Sequence, residues 1–96
     1  MAITEISKQQ YDALAGGEHC LPLWPRESEQ AWYCDTGNTL IGVLLHFSTT
    51  GCWGHAICRV DADGQYRRIA LAHDAPSAAS ARVDLVAKLR LLRPPD

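Results

Sequence analysis

Hydrophobic positions change period three times along the chain. Near the start they recur at helical spacing. Through the middle they alternate or run unbroken, and toward the end they return to helical spacing. Ser7 followed three residues later by Gln10 is a capping box, with Ile6 and Tyr11 at the staple positions and Gly16-Gly17 as a stop. This predicts a helix over 8–15, preceded by an extended segment at 2–5. Residues 17–30 carry two prolines and no period. Leu21, Leu23 and Trp24 make that stretch an ordered connection, since leaving them in water is costly.

Four strands follow: "QAWYC" (30–34), "TLIGVLLHF" (39–47), "CWGHAICRV" (52–60) and "YRRIALAH" (66–73). Their connections are turn sequences: "DTGN" with Asp first, "STTG", and "DADGQ" with Gly64 at the left-handed position. "DAPS" opens a last helix with Asp74 or Ser77 as cap and Pro76 near the first turn. Ala78, Ala81, Leu85, Leu89 and Leu92 form its apolar stripe, Arg90 and Arg93 sit at its C-terminal end, and "RPPD" stops it. The expected fold is one α+β domain over 1–96. It is an antiparallel meander of four strands, or five with segment 2–5, in two layers with a short N-terminal and a long C-terminal helix.

Loop lengths fix an expected register. A four-residue "STTG" loop sets Phe47 opposite Cys52, His46 opposite Trp53 and Leu44 opposite His55. Pairing Asp61 with Gln65 sets Trp53 opposite His73 and His55 opposite Leu71. One face then carries Ile41, Val43, Leu45 and Phe47 with Gly54, Ala56, Ala70 and Ala72, whose small side chains leave room for a helix. The other carries Leu40, Leu44, Trp53, Ile57, Ile69 and Leu71, too apolar for a solvated surface. Its expected cover is either the 17–30 segment or a protein partner. A homodimer built on Trp53, Ile57, Ile69, Leu71 and Leu44 fits the preference of interfaces for aromatic anchors.

Composition narrows the function classes. Ninety-six residues with 47% hydrophobic and 21% charged side chains form a globular domain. No apolar run reaches a membrane span and no secretory signal opens the chain, so a cytoplasmic location is expected. On that footing the four cysteines are expected as free thiols. Charge is uneven: six acids against two bases before residue 59, then five acids against seven bases. That imbalance is too small to make nucleic acid the main partner. Arg59, Arg67 and Arg68 cluster near the third turn as a candidate phosphate-contacting patch, against which a solvated charged face is the simpler account.

Cys52, His55 and Cys58 spell C-x-x-H-x-x-C. On a strand the two cysteines lie about 20 Å apart, with the histidine on the opposite face, so no zinc site forms from them. A row of His46, Trp53 and His73, with His55 two residues along, is the alternative site for a metal or small ligand, though it lacks an evident carboxylate partner. His19-Cys20 are adjacent in a loop, which is not the spatial pairing a nucleophile and base need. "DADG" fails as a calcium loop, because Arg59 and Ala70 would occupy its first and last ligand positions. No phosphate loop or catalytic-serine motif is present. The residues therefore favour an interaction or regulatory protein over an enzyme, with no cofactor or metal assigned.

"WYCDTGNTLIGVLL", "GHAICRVDADGQYRRIAL" and "SAASARVDLVAKL", taken in order over residues 31–90, resemble a pattern in small bacterial α+β proteins of unknown function. The shared features are turn and strand punctuation. The resemblance implies the meander and terminal helix, and no activity.

Overall fold

The structure, a computed structural model, describes residues 3–15, 26–35, 37, 39–63 and 66–92. The Gly16-Gly17 stop, Leu21, Leu23 and Trp24, His19-Cys20, the position of Gly64 and the "RPPD" stop lie outside these residues. Strand β1 (Thr4–Ile6) leads into helix α1 (Lys8–Ala15). A single 3-10 turn (Arg26–Ser28) precedes β2 (Glu29–Cys34), β3 (Leu40–Phe47), β4 (Cys52–Val60) and β5 (Tyr66–Ala75), and helix α2 (Ala78–Leu92) closes the order. The strands form one antiparallel sheet in sequence order, β1 to β5. The extended segment near the N-terminus thus supplies the fifth strand.

Local chemistry explains the element ends. Ser7 N donates to Gln10 Oε1 at 2.8 Å and Gln10 N donates to Ser7 Oγ at 3.1 Å, so the capping box is formed in both directions. Ser77 is the cap of α2, its Oγ accepting from Ser80 N at 3.1 Å. Asp35 is buried beside the β2–β3 turn. Its carboxylate accepts from the backbone amides of Thr39 (2.7 Å) and Leu40 (3.1 Å) and from the Thr39 hydroxyl, so its charge is satisfied locally. Gly51, with φ of 73°, closes the β3–β4 turn by donating to Phe47 O at 2.8 Å.

The two helices pack on opposite faces of the sheet. On one face Tyr11 and Leu14 of α1 pack with Ile41, Val43, Leu45, Ala56 and Cys58. Tyr11 also stacks on Trp32, ring centroids 5.9 Å apart. On the other, Ala81, Leu85 and Leu89 of α2 lie on Leu40, Leu44 and Ile57. The two helices therefore do not share a face as expected. The long helix also takes the face whose expected cover was the 17–30 segment or a second copy of the chain. Gly42 explains the choice: a Cβ there would sit 2.8 Å from the Cδ1 atoms of both Leu85 and Leu89. The glycine makes the groove into which the helix stripe descends.

The β3–β4 register is the expected one, with Phe47 opposite Cys52, His46 opposite Trp53 and Leu44 opposite His55. The β4–β5 register begins as expected, with Val60 opposite Tyr66, and then slips twice. One shift falls between Ile57 and Cys58 and another between Trp53 and His55, so Trp53 ends opposite Ala75 and His55 opposite Ala72. Each bulge inserts one residue into β5 and turns the following side chains over. Ala70 consequently joins the α2 face, while Leu71 lies opposite Ala56 on the other face.

Candidate functional site

The face chosen as an interface is largely interior. Leu44 and Ile57 are buried under α2, and Trp53 packs half-buried at the margin of the same cluster. Ile69 and Leu71, placed with them by the unbroken register, are separated from them by the first bulge and remain 42% exposed each. The five residues do not form one surface.

The histidine row is half right. His46 and Trp53 are stacked with ring centroids 4.4 Å apart. His73 is not their neighbour, because the second bulge places Ala75 opposite Trp53 and leaves His73 exposed. Among the described residues no three His, Cys, Asp or Glu side chains gather in a way that could hold a metal ion. His55 is buried beneath α2, and its Nε2 has no hydrogen-bond partner among the described residues. Burial holds this imidazole below its ordinary titration range, Lys88 adds to the effect and Asp84 opposes it.

That burial gives a testable pH dependence. A base whose folded pKa is depressed binds its proton more readily when unfolded. Its contribution to stability is therefore complete above the ordinary histidine value and is lost as pH falls through it toward the folded value. The urea midpoint should drop between about pH 7.5 and about pH 5.5, and His55→Leu should flatten that slope. An equal slope in His55→Leu would assign the acid lability to other groups.

The arginines do not converge. Arg59 donates to the Leu92 carbonyl at 3.2 Å, tying β4 to the end of α2, and Arg67 pairs with Asp61 at 2.5 Å across the β4–β5 turn. Only Arg68 of the three has no such partner among the described residues, which is too few cations to follow a phosphate backbone.

The cysteines differ from expectation. Cys58 is disulfide-bonded and fully buried, whereas Cys34 and Cys52 are free. The free-thiol reading came from the assumed compartment and from the impossibility of a Cys52–Cys58 pair. It left a pairing of Cys58 from elsewhere in the chain unconsidered. Burial pushes the Cys34 thiol up, with the neighbouring Asp35 acting in the same direction, so it stays protonated and is a poor nucleophile. Cys34 contributes with Ile6, Gln10, Ala13 and Leu14 to a cleft of about 270 Å³ beside α1. Among the described residues its polar lining is the Gln10 amide and the Cys34 thiol.

Strand β5 lies at one end of the sheet. It is ten residues long, bonded to β4 along one side, and it is the last strand of the sheet. Arg67, Arg68, Ile69, Leu71, His73 and Asp74 are all exposed along it. The opposite edge, β1, has three residues. A long open edge with exposed apolar side chains is a template for another strand. Sequence reasoning missed the exposure of Leu71 because the bulge between Arg68 and Ala70 leaves no turn signal in "RRIALAHDA". Among the described residues no helix is long and apolar enough to cross a membrane. No family model matches the chain, and no curated protein and no solved structure is significantly similar to it.

Proposed function

We propose that the protein is a small interaction module whose docking surface is the outer strand β5, acting by strand addition rather than by catalysis. One observation carries this reading: a ten-residue edge strand with Ile69 and Leu71 each 42% exposed, while Leu40, Leu44 and Ile57 of the same sheet are buried with α2. An added strand would take its affinity from backbone hydrogen bonds and its specificity from the side chains at Ile69, Leu71 and His73. The partner is a protein segment able to adopt an extended conformation.

Site-specific photo-cross-linking tests it. A photoreactive amino acid in place of Leu71, in protein expressed in its source cells, should give a discrete protein adduct. The same group in place of Val83, exposed on α2, should not. No adduct at 71, or the same adducts at both positions, would refute the assignment.

A further inference from the structure

Resting on β5 as the docking edge, we propose that its occupant is a second copy of this chain, laid antiparallel along β5 about a two-fold axis at Leu71.

Hydrogen bonding restricts how a strand can pair with itself. In an antiparallel pair, opposed residues both turn their amides toward each other or both turn them away. Along the regular stretch Ala70 to Ala72, two copies can therefore meet only with a residue, not a peptide bond, at the two-fold centre. Centres at Ala70, Leu71 and Ala72 remain. Charge selects among them. Arg68 and Asp74 are exposed, and neither has an ionic partner among the described residues, whereas Arg67 is held by Asp61.

Centring on Leu71 brings Arg68 alongside Asp74 of the second copy, and symmetry makes the contact twice. Centring on Ala70 would set Arg68 beside Ala72, and centring on Ala72 would set it beside Pro76. A parallel arrangement would place like charges together, which is unfavourable. The Leu71 centre also sets the two half-exposed Leu71 side chains against each other and Ile69 beside His73. Pro76, which has no amide to donate, falls opposite Tyr66 where the ladder ends. The bulges keep this an isolated contact, because they curl the strand away from flat edge-to-edge stacking.

Sedimentation velocity of the full chain, from about 1 µM to about 200 µM, tests the pairing. A monomer–dimer equilibrium is expected, with Leu71→Glu abolishing the dimer. Arg68→Asp and Asp74→Arg should each weaken it by about tenfold, since each sets two like-charged pairs in place of two attractive ones. The double exchange should restore it. A chain that stays monomeric throughout overturns self-pairing, while a Leu71-specific adduct to another protein would still uphold β5 as the docking edge. A dimer unaffected by all four variants overturns self-pairing through β5. A dimer weakened by the single exchanges and not restored by the double overturns the Leu71-centred register.

Discussion

Gly54→Ala is expected to cost about 3 kcal/mol or more, and Gly54→Val to prevent the native β4–β5 pairing from forming. A Cβ at Gly54 would lie 2.0 Å from the carbonyl oxygen of Ala72, 2.8 Å from its carbonyl carbon and 2.9 Å from the His73 Cα. All three atoms are backbone, so no rotamer change relieves the contact. The strand would have to leave the sheet, and with it the bulge that exposes His73. Gly42→Ala has the same nominal crowding, 2.8 Å to two leucine methyls, but those are side-chain ends that can turn aside. Its cost should be smaller. Gly51→Ala meets nothing within 4 Å, and its penalty is only the left-handed backbone at φ 73°, about 1–2 kcal/mol. Urea unfolding of the three variants should rank Gly54 first. A Gly54→Ala protein within about 1 kcal/mol of wild type would mean that β5 does not cross that close to β4.

Gly54 also shows where the sequence was legible and where it was not. The ends of elements are read from short-range chemistry, and these were recoverable. Ser7 and Gln10 can only reach each other's backbone if a helix starts between them, and Asp35 can only bond Thr39 and Leu40 if the chain turns there. The β3–β4 register followed from loop length because nothing interrupts either strand. The β4–β5 register did not, because a lone glycine inside a strand has two readings: space for a helix above it, or close approach of the neighbouring backbone. At Gly54 the second holds and at Gly42 the first, and one-dimensional alternation does not separate them.

The site suffered in proportion. The His46–Trp53 stack, confined to β3 and β4, kept its register, while Leu71 and His73, which lie beyond the first bulge in β5, lost theirs. "IALAHDA" offers small or apolar residues at both parities, so either face could have been chosen as interior. The first bulge chose, and it moved Leu71 from the expected interface to the other face, where it is 42% exposed. Burial of His55 was equally hidden, because an imidazole under a helix and one at a rim look alike until the helix is placed.

Reduction of the disulfide at Cys58 is expected to lower stability by about 2–5 kcal/mol, the range for a bridge in a domain of this size. At about 4–8 °C per kcal/mol, the melting temperature should fall by more than 8 °C. Much of the effect comes from the unfolded chain, whose freedom the crosslink restricts. The rest comes from position: Cys58 is fully buried in the α1-side cluster with Ile41, Val43 and Ala56. Cys58→Ala should lose as much as wild type does on reduction, and should be insensitive to reductant itself. Cys34→Ala should keep the response, because Cys34 is already a free thiol. Alkylation under denaturing, non-reducing conditions should label two of the four cysteines, and all four after reduction. A wild-type melting temperature that ignores reductant, or four labels without it, would leave the core without this staple. A positive result bears on place as well as on stability. A bridge whose loss removes several kcal/mol from a 96-residue domain is suited to an oxidising compartment, where such bonds persist. The cytoplasmic location expected from the lack of a signal or membrane span, on which the four free thiols were inferred, would then have to be given up.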